Sequence, residues 1–374
     1  MSGGLDMQRV LGLFEPVPAT LHPRQRQVCV HIRQCRTPAL GGMRWQCGTC
    51  RYERPVFHAC RDRHCPKCQR RASQRWAARQ RARVLPVTYF HVVFTLPDVL
   101  NPWVRLYPRA LYDQLFASAW ATLSRFGADP RRLGGTLGAS AVLHTWGQTL
   151  VQHVHLHCLV PGGALGADGR WRSVRSPYLF PVRALSRHFR GHYVAALRRR
   201  GEAGEFARQP NPGCLDALLD ALMASEWVVY SKPALGRTET VIDYLARYTH
   251  RTALTDGRLV AGEGDTVGLR YRDYRDGRRK TMWMDGSELV RRFLLHVLPK
   301  GLMRIRHYGV LANCRGAKGF DELRAAIDNS EEELATSTCR VDGDGETPVP
   351  RCPQCHEGRL EPIAPIAPAR IDSG

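Results

Sequence analysis

Gln152-His153-Val154-His155-Leu156-His157-Cys158-Leu159-Val160 places three histidines at every second position, with apolar residues between them. Strict alternation is the period of a β-strand, so the three imidazoles share one face and the apolar side chains the other. Pro161-Gly162-Gly163 ends the run. Upstream, Leu137 to Trp146 also reads as a strand, and the short connection predicts an antiparallel hairpin.

Outward from this hairpin, Val87 to Leu96 is β-branched and aromatic and closes at Pro97, which predicts another strand. Trp103 to Phe126 and Val182 to Arg200 carry helical spacing. A short strand follows at Trp227–Tyr230. Val267–Tyr274 and Lys280–Met284 flank Asp276-Gly277 as a hairpin. Helices are predicted at Thr240–Tyr248, Ser287–Leu298 and Asp321–Ala335. Mixed strands and helices with hairpin connections imply an α+β fold, an antiparallel sheet with helices packed on it. The expected domains are 1–84, 85–312 and 313–374.

Among 374 residues, 55 Lys+Arg face 34 Asp+Glu, a net charge of +21. So Arg-rich an excess points to a polyanion, because the guanidinium fork binds two phosphate oxygens at once. No apolar run approaches the ~20 residues of a membrane helix. Met1 to Glu15 lacks the pattern of a secretory signal, so a cytoplasmic, nucleoid-associated protein is expected.

Thirteen cysteines in such a context favour metal ligation over disulfides. Cys47-Gly-Thr-Cys50 and Cys65-Pro-Lys-Cys68 are two C-x-x-C knuckles with fourteen residues between them. The spacing predicts one structural Zn²⁺ held by these four thiolates, with His58, Cys60 and His64 as competitors. Cys352-Pro-Gln-Cys355 is a third knuckle with an incomplete ligand set, for which Cys339 and His356 are candidates. Cys29, Cys35, Cys158, Cys214 and Cys314 read as small core residues. From Gln69 to Val84 there is no Pro, Gly or acid. A basic helix carrying Arg70, Arg71, Arg75 and Arg79 toward a nucleic-acid backbone is expected there.

Two imidazoles at His155 and His157 suit a divalent ion, with His153, His144 or Gln148 as further ligands. A lone buried histidine is more often a satisfied core residue; three in alternation each need a partner. Tyr244 and Tyr248 lie four apart on the predicted helix, so both phenols occupy one face. Arg247, His250 and Arg251 beside them could hold phosphates.

Several stretches occur in a definite order. They are Cys47/Cys50, Cys60-Arg-Asp-Arg-His-Cys65-Pro-Lys-Cys68-Gln69, Phe94-Thr-Leu-Pro97 and His155-Leu-His157-Cys-Leu-Val-Pro-Gly-Gly163. Tyr244-Leu-Ala-Arg-Tyr248-Thr-His-Arg251, Arg292-Phe-Leu-Leu-His-Val-Leu-Pro299 and Arg304-Ile-Arg-His-Tyr-Gly309 follow. On these residues the chain resembles the rolling-circle transposases of the insertion sequence ninety-one family, over roughly residues 20–315. They are relatives of HUH (histidine–hydrophobic–histidine) replication initiators. The resemblance implies an N-terminal zinc-binding domain and an HUH catalytic domain with an antiparallel, RRM-like core. It implies His155 and His157 as ligands of Mg²⁺ or Mn²⁺, and Tyr244 and Tyr248 as nucleophiles. It further implies nicking of single-stranded, transposon-end DNA through a 5′-phosphotyrosine. A plasmid or phage replication initiator with the same chemistry, or a non-catalytic zinc-finger regulator, are the alternatives.

Overall fold

The computed structural model describes residues 4–69, 84–209, 214–235, 253–331 and 351–369. The chain divides into two compact units. One gathers Met1–Arg70, Leu254–Arg291 and Ser337–Gly374; the other gathers Arg71–Ala253 and Arg292–Thr336. This differs from the expected boundaries at 84 and 312. The chain's last described segment belongs with its first, and the helix Gly316–Glu331 stays in the second unit.

The second unit is built on a five-stranded antiparallel sheet. Its order is Ile305–Gly309, Gly138–Trp146, Gln152–Pro161, Tyr89–Thr95, Val229–Leu235. The histidine strand therefore lies at the centre. Its alternation is read out directly: Val154, Leu156 and Cys158 are buried, whereas His153, His155 and His157 are half-buried. The apolar face, with Phe90, Val92 and Phe94 of the neighbouring strand, packs on helices Pro108–Ala128 and Val182–Glu202. In the first helix Leu111, Leu115, Ala119 and Leu123 recur at intervals of four, one turn apart, which lays a single stripe on the sheet. The second helix buries Leu185, Phe189, Tyr193 and Leu197 and none of its arginines fully. Phe94, Phe116, Phe189 and Tyr193 are among the largest fully buried side chains, so this core stands on aromatic area.

The helix expected across Trp103 to Phe126 is two helices, Asn101–Leu106 and Pro108–Ala128. Proline disfavours helical geometry in the residue before it. Tyr107, with φ −125° and ψ 51°, is where the chain breaks. The edge strand Ile305–Gly309 was not predicted; its five residues are all half-buried, with no alternation to mark it.

In the first unit, helices Met7–Leu13 and Pro23–Gln34 precede a three-stranded sheet ordered Leu360–Ile366, Gly42–Cys47, Glu53–Phe57. The expected hairpin is present as Thr266–Arg272 and Arg279–Asp285, extended by Leu259–Ala261. Among the described residues no helix is long and apolar enough to cross a membrane.

Candidate functional site

On the face of the central sheet that carries the alternating histidines, the ladder sets His155 directly opposite His144. His157 follows two residues on, and the ligand atoms of these three histidines lie within 4.8 Å of one another. The structure brings His144, and not His153, to the pair. His153 shares the strand face, but its Nδ1 lies 3.9 Å from the Asp98 carboxylate, and its carbonyl accepts a hydrogen bond from His155 Nδ1 at 2.9 Å. That bond puts the His155 proton on Nδ1 and the lone pair on Nε2. Lost hydration, helped by nearby His153, lowers the His155 pKa to about 4, so the ring is neutral, the state in which imidazole ligates a metal.

A fourth histidine enters from the neighbouring strand. His91 Nε2 and His157 Nδ1 are 2.8 Å apart and share a hydrogen bond, with the rings stacked at 5.0 Å. Burial holds His91 neutral, at about 4. Such outer partners orient ligating imidazoles. Sequence reasoning missed His91 because a single histidine within Tyr89–Thr95 has no pattern of its own. Only pairing brings it beside the site. The donor chemistry fits a divalent ion: three imidazoles meet at one point, on a face that is only partly covered.

The cysteines group differently from the sequence expectation. Cys47, Cys50, Cys65 and Cys68 do not surround one point. Cys65 and Cys68 meet Cys35 and Cys60, while Cys47 and Cys50 meet Cys352 and Cys355. In the first quartet the Sγ atoms of Cys35 and Cys60 lie 3.5 and 3.7 Å from that of Cys68. A tetrahedral site with Zn–S bonds of about 2.3 Å has edges of about 3.8 Å, and a disulfide needs about 2.05 Å, so the spacing fits zinc. Cys35, expected as a core residue, is thus a candidate ligand; neither His58 nor His64 joins a quartet. Cys339 lies outside the described residues.

His64 instead buttresses the first quartet. Its backbone N–H and ring both contact Asp62 at 2.9 Å, and Arg24 and His31 reach the other carboxylate oxygen at 3.1 and 3.0 Å. Burial pushes the Asp62 carboxyl up, but the bonds from His64 and His31 outweigh it and hold the group ionised. Two of these partners lie on helix Pro23–Gln34, so the carboxylate ties that helix to the loop between Cys60 and Cys65.

Tyr244, Tyr248, Arg247 and Arg251 lie outside the described residues, as do Arg70, Arg71, Arg75 and Arg79. A basic surface not anticipated from sequence is described. On the hairpin, Arg270, Arg272, Arg279, Thr281 and Trp283 share one exposed face, by register and by alternation. Guanidinium groups beside an exposed indole can hold phosphates and stack a base.

With the geometry in view, the comparisons are specific. Residues 138–318, which include His144, His155, His157 and the tyrosine pair, match the family model described as "Putative transposase". Residues 8–96 match the "Transposase zinc-binding domain" model. A curated relative from Sinorhizobium fredii, "Putative transposase y4qJ", is 40% identical over 91% of this chain and 89% of its own length. The chain belongs to the IS91 family of transposases. "Transposase for insertion sequence element IS801" from Pseudomonas savastanoi pv. phaseolicola is 28% identical, over 75% of this chain and 68% of its own length. No solved structure matches. The transposase is thus a DNA-processing enzyme with a zinc-binding domain, and DNA is its partner.

Proposed function

We propose that this transposase nicks single-stranded DNA at the ends of its insertion element and transfers the strand through a tyrosine–phosphate link. The observation that carries this reading is the meeting of His144, His155 and His157 on the central strands. Of Mg²⁺ and Mn²⁺, imidazole donors favour Mn²⁺, since Mg²⁺ prefers all-oxygen shells. A bound ion would polarise the scissile phosphate and offset charge built up in the transition state.

Tyr244 and Tyr248 supply the nucleophile in this reading, on the motif alone. A phenol of pKa ~10 is about one part in a thousand phenolate at neutral pH, so its oxygen needs an activated phosphate held in place. The phenol gives up its proton as its oxygen bonds to phosphorus, the bond from phosphorus to the 3′ oxygen breaks, and that 3′ oxygen takes a proton. The 5′ end is left on the protein. A second tyrosine one turn away allows a second transfer before the first end is released.

A single-stranded oligonucleotide carrying the element's end, incubated with the protein and Mn²⁺, should yield a covalent adduct. Mass spectrometry should map it to Tyr244 or Tyr248, and the double variant Tyr244→Phe/Tyr248→Phe should form none. Cleavage without an adduct would replace this reading with metal-dependent hydrolysis. Binding without cleavage would favour a zinc-finger regulator.

His91 acts in this scheme by orienting His157. His91→Ala is expected to weaken Mn²⁺ binding to the zinc-loaded protein by about 10–100-fold, as outer-shell losses do. Calorimetric titration reads this directly; an unchanged affinity would remove His91 from the site.

A further inference from the structure

We infer that Cys47, Cys50, Cys352 and Cys355 form a second zinc site, half of whose ligands come from beyond the zinc-binding family match, and that this site fastens Leu360–Ile366 to the N-terminal sheet. Residues 8–96 contain only Cys47 and Cys50 of this quartet. Two thiolates do not close a tetrahedral structural site. The other two arrive from more than three hundred residues away: Cys355 Sγ lies 3.7 Å from Cys47 Sγ, and Cys352 Sγ lies 3.6 Å from Cys50 Sγ. These are tetrahedral edges and not disulfide bonds.

The two knuckles are built alike, which sets the quartet apart from a chance cluster of thiols. Thr49 N–H donates to Cys47 Sγ, and Gln354 N–H donates to Cys352 Sγ, each at 3.4 Å. Arg51 N–H returns to the Cys47 carbonyl, and His356 N–H to the Cys352 carbonyl. Arg51 and His356 also share a left-handed backbone, with φ of 61° at both. That conformation is costly for a non-glycine residue, so it persists only where something else requires it. Arg36 and Arg61, which directly follow Cys35 and Cys60 of the other quartet, are left-handed too, at 60° and 55°. In four places, then, the strain sits one residue after a cluster thiol, where the turn must point amide groups at sulfur.

Gly358 completes the argument. Its N–H donates to Cys355 Sγ at 3.4 Å, and a Cβ there would run into Cys47 Sγ and reach within 2.7 Å of Thr49 Oγ1. Leu360, two residues on, pairs with Cys47 and is buried beside it. The strand from Leu360 to Ile366 then continues along Gly42–Cys47. The knuckle is therefore the point at which the end of the chain is pinned to the sheet.

Thiolate-held zinc can be counted on the full chain by mercurial titration with a chromogenic zinc indicator. Two zinc ions per chain are expected for the wild type and one for Cys352→Ser/Cys355→Ser. Two ions in that variant, or one in the wild type, would overturn the proposal. Alkylation mapping of the wild-type protein needs no variant to fold. With zinc bound, the accessible thiols of Cys50 and Cys355 should react more slowly than exposed Cys214 and Cys314. Chelation should release Cys50 and Cys355 together. If Cys355 reacts as fast as Cys214 in the zinc-loaded protein, the site does not exist.

Discussion

Strand cleavage is expected to fall by about a thousandfold or more in His155→Ala/His157→Ala, with zinc content and overall fold unchanged. A metal at a reacting phosphate contributes several kcal/mol, and each 1.36 kcal/mol is a factor of ten, so loss of about 4 kcal/mol gives three orders of magnitude. The fold survives because the apolar side chains of the same strand do the packing. Val154, Leu156 and Cys158 lie in the core, and the two imidazoles stand on the opposite face. Cleavage and binding should therefore separate: affinity for a single-stranded oligonucleotide should drop little, since most of it comes from phosphate contacts with basic residues. The measurement is a single-turnover cleavage time course beside a binding titration at one fixed salt concentration. Cleavage within tenfold of wild type would show that these histidines do not hold the ion used in the reaction.

Withdrawal of zinc should unfold the cysteine-bound sheet of the first unit and leave the second unit folded. Structural zinc in small modules contributes about 10–16 kcal/mol, whereas a whole domain is stable by only about 5–15 kcal/mol, so the metal term decides whether such a module folds. The sheet that carries the second quartet rests on a small apolar cluster, Cys47, Cys352 and Leu360 with Trp45 and Tyr52 against them, whereas Met7, Leu11, Ile32, Leu269 and Leu289 are buried elsewhere in the same unit. Chelation also strands the Asp62 network, because the loop carrying that carboxylate lies between Cys60 and Cys65. Hydrogen exchange followed by mass spectrometry should show lost protection in Gly42–Cys47 and Glu53–Phe57. Protection should remain in Tyr89–Thr95, Gly138–Trp146 and Gln152–Pro161, whose core contains no cysteine quartet. Protection of the N-terminal strands after complete zinc removal would refute a structural role for the metal.

Much of the second unit was legible because its elements have a period. The central strand was expected from His153 to Val160 and runs from Gln152 to Pro161. Its neighbour was expected from Leu137 and starts at Gly138. A two-residue repeat encodes both the element and which side chains share a face. In the first unit, the hairpin around Asp276-Gly277 was likewise legible from its turn, yet its exposed arginine and tryptophan face was not singled out, since exposure depends on what else covers a strand.

The first unit was harder to read. A C-x-x-C pair declares that two thiolates bend toward one point, but not which other pair shares it. With three such knuckles, fourteen residues of separation looked like a partnership, and the structure dissolved it. Cys35 carried no signal because it contributes one ligand from the end of a helix, with no companion at knuckle spacing. The strand Leu360–Ile366 was missed because its reason for being a strand is its partner, Gly42–Cys47.

From the sequence alone came the imidazole face of the central strand, the α+β class, the zinc knuckles and the family, all of them local patterns in chain order. Only the tertiary structure decided that His144 rather than His153 joins the pair, that His91 stands behind His157, and that the cysteines form two quartets. The reason is physical. Alternation and knuckle geometry act over a few residues and leave a mark in the sequence, whereas metal ligation is a closure in three dimensions that any distant segment can complete.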